Sequence, residues 1–425
     1  MVPAPMHLFL SAGEPSGDQH AAHLLTELRR RDPSLKAVGY GGPDLAAAGQ
    51  EQSFRLTDLA VMGIGAVLPH IKTFFSLRNR AAEYFRDQKP DAVVLVDFPG
   101  FHWHLAKAAK KAGVPVIYYL PPQMWAWAGW RVKKVRKYVD YLLCGLPFEP
   151  QWYADRGVSA EDGTPCDYVG HPFFDEAAAK QLDQTFLEER RGGRTVGVLP
   201  GSRNREVERN GPILAAAARR LSGLHPDVTF RVAAYQPAHA DRCRELFAGI
   251  PNVEVCVERT SEIIELAECC LFVSGSVSLE LFARRTPGAV VYCLPRWKYQ
   301  FLSKLVADDD LNTITLPNLF AGEKLYPEFF PPGAEAREVT EIVRLVDNWL
   351  SAPASLAAVR GAIAAAADRT VRTGATAAAA DAVLRAVGGS NAAATAEPVV
   401  ETAAGTQAVV APPPGPNALA ARRAA

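Results

Sequence analysis

A short stretch that begins at Thr195, TVGVLPGSRNREV, combines residue types that hold a phosphate group. An apolar run typical of a buried strand is followed by Gly201, which permits a tight turn, and by Ser202, which can cap the next helix. Arg203 adds a guanidinium beside the positive N-terminus of that helix. Free N–H groups, a hydroxyl and a guanidinium suit a phosphate, although an ordinary strand-to-helix turn with a solvated arginine shows the same pattern.

Two other loops repeat this order of elements. The sequence HLFLSAGEPSGDQHAAHLL, which begins at His7, places an apolar strand before a loop that carries Glu14 and Asp18 and leads into a helix. Residues 274–280, SGSVSLE, also follow an apolar run and enter a helix. Strand–glycine-loop–helix beginnings at residues 7 and 195, far apart in one chain, predict two α/β domains.

The first half of the chain alternates strand and helix patterns, which predicts a doubly wound parallel sheet. DAVVLVD, residues 91–97, is a near-continuous apolar run of the parallel-sheet type and ends at Asp97. Ligands of such sheets bind at the carboxyl ends of the strands, where the sequence places Asp97, the 14–18 loop and the aromatic loop PPQMWAW at 121–127.

The predicted organisation has four parts. Residues 1–175 form a first Rossmann-like domain, and a polar segment near 175–193 separates it from a second one at 176–335. Residues 336–387 are predicted helices. The Ala- and Pro-rich tail at 388–425 has no aromatic residue and too little apolar surface to order itself, so we predict that it is disordered.

The composition argues against several classes of protein. The 46 basic and 46 acidic residues cancel, which gives no electrostatic argument for nucleic acid binding. Seven cysteines without a C-x-x-C pair argue against a zinc site or a disulfide framework and suit a reducing compartment. No stretch approaches the roughly 18–20 apolar residues of a membrane span, and no signal peptide is visible. We therefore expect a soluble or peripheral protein.

Residues 61–77, VMGIGAVLPHIKTFFSL, are unusually apolar and carry Lys72, with Arg78 and Arg80 close by. One interpretation is a core helix that is entered through a glycine loop. The other is an exposed apolar patch with a rim of cations that contacts lipid.

Ten motifs occur together in an order that resembles the lipid-A-disaccharide synthases, glycosyltransferase family 19. They are AGEPSGDQHAAHLL, GPDLAAAG, LAVMGIGAVL, VDFPGFHWHLAKAAKKAGVPVIYY, QMWAWAGWRVKKVRKYVD, LPFEPQWY, VGHPFFDE, LPGSRNREV, SGSVSLE and LPNLFAGEKLYPEF. The resemblance covers about residues 7–385. It implies an α/β protein of the GT-B architecture, in which two Rossmann-like domains face a central cleft and C-terminal helices cross back to the first domain.

The resemblance also implies an activity. Such enzymes are inverting, metal-independent transferases that join UDP-2,3-diacylglucosamine to 2,3-diacylglucosamine 1-phosphate, giving a β-1,6-linked disaccharide phosphate and UDP. No cofactor or metal is expected. The implied location is the cytoplasmic face of the inner membrane, as a peripheral protein, and a homodimer occurs in the family.

The family's donor-binding motifs place UDP in the second domain. Gly201, Ser202 and Arg203 match the phosphate-side loop, and Arg203 would balance the charge of the leaving diphosphate as a metal does elsewhere. The other matching residues are Ser274, Gly275, Ser276, Ser278, Glu280 and Asn318. Of these, Glu280 is expected to hold the ribose hydroxyls.

The first domain is expected to hold the acceptor and the catalytic base. Inversion needs one group to take the proton of the attacking hydroxyl, and Asp97 matches the family's essential aspartate. Glu14 and Asp18 are the alternatives. The acceptor and membrane contacts are expected from Met62, Ile64, Val67, Leu68, Ile71, Phe74 and Phe75, which match a segment with exposed apolar residues in the family.

The chain lacks two cationic residues of the family pattern. Cys293 stands where arginine or lysine is common, and Ala128 replaces a frequent arginine. These departures leave two alternatives open: another GT-B protein that acts on a UDP-sugar, such as a related transferase or an epimerase, or a catalytically weak relative that binds nucleotide sugars. Retention of Asp97, Arg203 and Glu280 argues against the weak relative.

Overall fold

The structure is a computed structural model, and it describes residues 5–60, 67–127, 129–293, 313 and 315–389. Two compact units make up the chain. Residues up to Asp175 and those from Arg372 onward form the first unit, and Glu176–Val371 form the second. Each unit has a parallel β-sheet and its own apolar core.

The sheet of the first unit has seven strands. They are β1 (His7–Ala12), β2 (Lys36–Gly41), β3 (Glu51–Arg55), β4 (Ala92–Val96), β5 (Val116–Tyr119), β6 (Tyr141–Cys144) and β7 (Cys166–Tyr168). Their order in the sheet is β3-β2-β1-β4-β5-β6-β7, and all neighbours are parallel. The central strands are buried on both faces, which explains why their sequences are continuously apolar rather than alternating.

Helices connect these strands. They are α1 (Pro15–Arg31), α2 (Pro43–Ala47), α3 (Thr57–Ala60), α4 (Val67–Gln88), α5 (Pro99–Ala112), α6 (Met124–Trp127), α7 (Val132–Tyr138), α8 (Glu149–Ala154) and α9 (Phe173–Ala179), with a short 3₁₀ turn at Gly129–Arg131. Helices α1, α2, α5 and α8 have proline in their first turn, where its fixed φ favours the helix and its missing N–H costs nothing.

The strand order of the first unit reverses between β1 and β4. These two strands pair in parallel with Ala12 beside Val96, so the loops that follow them begin side by side. Such a switch point is where doubly wound sheets bind ligands. The Glu14 loop and Asp97 therefore begin at the same place on the sheet edge, as the sequence predicts.

The second unit repeats this plan with six parallel strands. They are β8 (Arg194–Leu199), β9 (Val228–Ala234), β10 (Val253–Val257), β11 (Cys269–Phe272), β12 (Gly288–Val291) and β13 (Glu328–Phe329), in the order β10-β9-β8-β11-β12-β13. Here the order reverses between β8 and β11, where Leu199 lies beside Phe272. The Gly201 loop and the Ser274 loop consequently leave the sheet as neighbours.

The helices that the structure describes in the second unit are α10 (Gln184–Arg190), α11 (Asn204–Leu224), α12 (Pro237–Leu246), α13 (Thr260–Leu266), α14 (Val277–Ala283), α15 (Leu316–Ala321), α16 (Arg337–Ser351) and α17 (Pro353–Thr370). The sequence of α16 is typical of a helix with one buried face, because its apolar residues recur three or four positions apart. That face joins the same core as α11, and its members are Val339, Ile342, Val343, Val346, Trp349 and Leu350.

The last helix, α18 (Ala375–Gly389), belongs to the first unit and packs on α1. Its start is capped by Asp175, whose carboxylate accepts from the N–H groups of Gly374 (2.5 Å) and Thr376 (2.8 Å). Arg31 of α1 pairs with Asp381. Helices α16 and α17 stay in the second unit, so only α18 of the predicted C-terminal helices lies in the first. The tail from residue 390 onward lies outside the described residues.

Within the described ranges, no single helix is long and apolar enough to cross a membrane, although a pair bent by 102°, Arg337–Ser351 with Pro353–Gly388, passes on length and composition. The same ranges contain no cluster of three or more His, Cys, Asp or Glu side chains that could hold a metal ion.

Candidate functional site

Asp97 lies at the carboxyl end of β4 in an unusual backbone conformation. Both Asp97 (φ 47°) and Phe98 (φ 49°) are left-handed, which is uncommon for residues other than glycine. The Phe98 ring lies against Gly13 at the end of β1, and a Cβ atom on Gly13 would overlap that ring. The turn after β4 thus depends on a glycine in the loop after β1.

The charge environment of Asp97 suits proton transfer. Burial, and to a lesser degree the negative charge of Glu14, raise the pKa of Asp97 to about 6, against the opposing effects of the Phe98 N–H and of His20. The residue as a whole is half-buried. A carboxylate with a pKa close to neutral is ionised at pH 7 and is still a stronger base than an ordinary aspartate.

Asp18, the other predicted alternative, is occupied with structural contacts. It is buried, and its two carboxylate oxygens accept from the backbone N–H groups of Gly42 (2.6 Å) and Asp44 (2.9 Å) at the start of α2. Burial raises its pKa and these hydrogen bonds lower it. This geometry favours a role in joining α1 to the loop after β2 rather than in catalysis.

We expect Asp18→Ala to lower the free energy of unfolding by about 1–3 kcal/mol, because two buried N–H groups lose their acceptor. Urea denaturation of the purified protein measures this. The matched control is Asp44→Ala, which removes an exposed carboxylate in the first turn of α2 and should cost less than about 0.5 kcal/mol. Equal effects of the two variants would show that the Asp18 contacts do not stabilise the loop.

In the second unit, the loop after β8 differs from the sequence-based expectation of free N–H groups. Gly201 has φ 118°, as a glycine turn requires. The Glu206 carboxylate accepts from the N–H groups of Ser202 (3.0 Å) and Arg203 (3.2 Å) and lies 2.9 Å from the Arg203 guanidinium. Glu206 therefore closes a capping box at the start of α11. The Arg203 side chain is 69% exposed.

The neighbouring loop after β11 contains both exposed and engaged groups. Gly275 and Ser276 are exposed and Ser274 is half-buried, whereas the buried Ser278 hydroxyl donates to the Gly275 carbonyl (2.6 Å). Glu280 is buried and accepts from Arg284 (3.1 Å), one turn later in α14. The prediction that Glu280 binds ribose hydroxyls stays a prediction.

Asn318 is fully buried and has protein partners at both ends of its amide. Its Oδ1 accepts from the N–H groups of Leu325 and Tyr326, both at 2.9 Å. Its Nδ2 donates to the Tyr326 carbonyl and to Thr313 Oγ1, again at 2.9 Å. These contacts hold the segment that follows α15, up to Tyr326, against Asn318. Asn318 therefore acts as a structural residue in this loop, and direct contact with a nucleotide stays a prediction.

Glu149, at the start of α8, was not singled out from the sequence. Its buried carboxylate accepts from Trp125 Nε1 (3.1 Å) and from the Leu146 N–H (3.0 Å), and burial raises its pKa to about 7. It thus anchors the aromatic loop after β5. The only sequence signal was a glutamate just after the apolar strand β6, which is also the pattern of an ordinary helix start.

The apolar segment of α4 is partly exposed. Ile71 is 45% and Phe75 48% exposed, while Phe74 packs against Phe101 with ring centroids 5.3 Å apart. The Arg78 guanidinium lies 5.1 Å from the Phe75 ring centre. Met62 and Ile64 lie outside the described residues, as do the side chains of Val67 and Leu68. Of the predicted lipid-contact residues, Ile71 and Phe75 are thus exposed to solvent, whereas Phe74 is only partly exposed.

Of the two departures from the family pattern, Ala128 lies outside the described residues. Cys293 is half-buried, and its backbone N–H donates to Asn210 Oδ1 of α11 (2.7 Å). Burial raises the pKa of the Cys293 thiol, against the opposing positive charge of Arg209 in α11. Residues 294–300, which include Arg296 and Lys298, are not described.

Comparison with known sequences gives one consistent result. The model of a family described as lipid-A-disaccharide synthetase matches residues 8–352. The chain is 35% identical to the lipid-A-disaccharide synthase of Myxococcus xanthus, over 81% of this chain and 88% of that protein. It is 32% identical to the enzyme of the same name from Nitrosococcus oceani, over 85% of this chain and 93% of that protein.

Comparison with solved structures shows the fold. The UDP-GlcNAc 2-epimerase of Neisseria meningitidis, bound to UDP-GlcNAc, matches with a TM-score of 0.58 at 12% identity, covering 91% of this chain and all of that one. The calicheamicin glycosyltransferase CalG4 matches with a TM-score of 0.56 at 18% identity, covering 91% of this chain and 99% of that one. These likenesses support two Rossmann-like domains of the GT-B type.

Proposed function

Because the chain belongs to the lipid-A-disaccharide synthase family, we propose that it joins UDP-2,3-diacylglucosamine to 2,3-diacylglucosamine 1-phosphate and releases UDP. The observation that carries the chemistry is the half-buried Asp97 at the switch point of the first sheet, with Glu14 beside it. Asp97 takes the proton of the acceptor 6-hydroxyl while the hydroxyl oxygen attacks the anomeric carbon of the donor. The bond between that carbon and the diphosphate breaks in the same step.

We assign binding of the leaving diphosphate to residues of the second unit. Arg203 supports this assignment because its side chain is mostly exposed, at the first turn after the β8–β11 switch point. Glu206 accepts a hydrogen bond from the guanidinium and so holds it at the start of α11. A fixed cation of this kind stabilises charge on the leaving group without a metal. We accordingly propose that turnover needs no metal or other cofactor.

UDP release tests this proposal. Purified protein should release UDP only when both acylated substrates are present. Release from the donor without the acceptor, or none with both, would contradict it. An epimerase, the enzyme alternative raised by the sequence, would convert UDP-GlcNAc to its epimer without acceptor. That alternative is not favoured, because the sequence relatives are named synthases and the epimerases share only the fold.

We also propose a peripheral contact with the inner membrane from the cytoplasmic side. Its support is the exposed pair Ile71 and Phe75 on α4, with Arg78 placed to meet anionic head groups. Both substrates carry acyl chains that partition into lipid. A homodimer, implied only by the resemblance to the family, is a separate proposal that light scattering in solution tests.

Replacing Ile71 and Phe75 together by serine should lower binding to vesicles of mixed anionic and zwitterionic phospholipid by at least about tenfold, since each apolar side chain withdrawn from lipid loses roughly 1.5 kcal/mol. Co-sedimentation measures the bound fraction. Leu224→Ser, which removes an exposed apolar side chain of the second unit, is the control and should bind as the wild type does. Unchanged binding of the double variant would rule out this patch as the contact.

A further inference from the structure

The left-handed turn at Asp97 and Phe98 needs contacts that hold it, because two consecutive non-glycine residues in this conformation are costly. The Phe98 half is held by ring packing on Gly13. The Asp97 half is held through its main-chain carbonyl. That oxygen accepts from Tyr118 Oη (2.8 Å) and lies 2.7 Å from His102 Nδ1.

The proton positions of this network follow from its acceptors. A carbonyl oxygen only accepts, so His102 Nδ1 carries a hydrogen and donates it to Asp97. His102 Nε2 is then an acceptor, and Ser11 Oγ donates to it at 2.9 Å. The imidazole is completely buried, and burial lowers its pKa to about 4, so it is neutral at physiological pH. Each polar group of this imidazole therefore has a partner.

The network joins the elements that meet at the switch point. Ser11 lies in β1, just before the Glu14 loop; Asp97 follows β4; Tyr118 lies in β5; and His102 lies in α5. Two hydrogen-bond donors, one of them this histidine, converge on the carbonyl of one strained residue. A histidine that only filled space in the core would not need such a contact. The side chain of that same residue is the carboxylate beside Glu14.

We propose that His102 and Tyr118 are positioning residues, which hold the Asp97 backbone left-handed and so keep its carboxylate beside Glu14 in the site. This inference rests on the proposed role of Asp97 as the base. Among the described residues, the titratable groups that interact with Asp97 include Glu14, His20, His102 and Tyr118. Without the two donors, the turn relaxes and the carboxylate becomes more hydrated.

Tyr118→Phe removes one donor and keeps the ring, so it tests the proposal with little risk to folding. Its matched control is Tyr153→Phe, which removes a buried hydroxyl of the same unit that has no hydrogen-bond partner among the described residues. We expect kcat of Tyr118→Phe to fall about tenfold at unchanged KM, while Tyr153→Phe keeps wild-type kcat. Equal kcat values for the two variants would overturn the proposal.

His102 offers a second pair of variants. In His102→Asn, the amide Nδ2 is separated from Cβ by the same number of bonds as the imidazole Nδ1, so it can donate to the Asp97 carbonyl. His102→Leu cannot. We expect His102→Leu to lose about 10²-fold in kcat and His102→Asn to recover at least tenfold of that loss. If Asn performs no better than Leu, donation to the Asp97 carbonyl is not what His102 contributes.

The pH dependence of kcat/KM gives a readout that loss of packing alone would not move. In Tyr118→Phe and His102→Leu, the acid limb should shift to lower pH, because a more hydrated carboxylate ionises more readily. An acid limb that stays at its wild-type pH would overturn the proposal. Wild-type turnover is measured in the same series: its absence would mark failure of the proposed function, whereas its presence with unaffected variants would mark failure of the positioning role alone.

Discussion

Asp97→Asn is expected to lower kcat by about 10²- to 10⁴-fold and to leave the affinity for UDP near that of the wild type. Asparagine tolerates the left-handed backbone at this position, so the turn and its carbonyl contacts should persist while the base is lost. Steady-state kinetics with both acylated substrates measures kcat. Isothermal titration calorimetry measures the binding of UDP.

Glu14→Gln is the control for this prediction. Glu14 raises the pKa of Asp97, so its removal should move the acid limb of kcat/KM from near pH 6 to lower pH and cost far less activity than Asp97→Asn. If Asp97→Asn retained turnover and Glu14→Gln lost it, Glu14 would be the base.

The stability of Asp97→Asn supplies an independent check on the same carboxylate. The pKa of Asp97 rises from its ordinary value of 3.8 to about 6 in the folded protein, so the proton favours folding and ionisation costs stability as the pH rises through 6. At about 1.36 kcal/mol per pKa unit, the neutral variant should gain at most about 3 kcal/mol at pH 8. This gain should stay nearly constant from pH 8 down to about pH 6 and shrink between pH 6 and pH 4, and thermal unfolding followed by circular dichroism measures it.

Arg203→Ala is expected to lower kcat by about 10²- to 10³-fold, the loss typical of removing one fixed group that stabilises charge in the transition state. Arg203→Lys should recover only part of this loss, because an ammonium cannot hold Glu206 and a phosphate through the same planar fork. UDP affinity should fall as well, since Arg203 is proposed to bind the negatively charged diphosphate of UDP. Steady-state kinetics and calorimetry with UDP measure the two effects.

Arg205→Ala is the matched control for this prediction. Arg205 carries the same charge two residues later and is exposed in the first turn of α11. Its loss should change kcat less than about threefold if position rather than overall charge matters. Equal losses for Arg203→Ala and Arg205→Ala would show that the loop contributes only a diffuse positive field.

The strand ends were predictable because they depend on patterns that are local in the sequence. A buried parallel strand reads as a continuous apolar run, so the end of β4 at Val96 and the position of Asp97 after it follow from the sequence DAVVLVD. A helix after β1 follows from the same pattern, but the loop was predicted to extend to Asp18, whereas α1 begins at Pro15 and includes Asp18. Two Rossmann-like units follow from repetition of this pattern.

The contacts of individual polar side chains were harder to predict. Glu206 stands three residues after the cap position of α11, which is the capping-box spacing, yet the expectation was that the N–H groups there would be free. Asn318 is engaged by residues seven and eight positions later, and only the folded loop brings them to its amide. Asp18 is held by a loop after another strand, which no local pattern reveals.

Direct identification of the product tests whether the protein is the proposed transferase. The wild-type protein, given UDP-2,3-diacylglucosamine and 2,3-diacylglucosamine 1-phosphate in the presence of EDTA, should form the disaccharide 1-phosphate and UDP in equal amounts, as mass spectrometry and nucleotide chromatography can measure. Tight binding of UDP without any disaccharide would contradict this account.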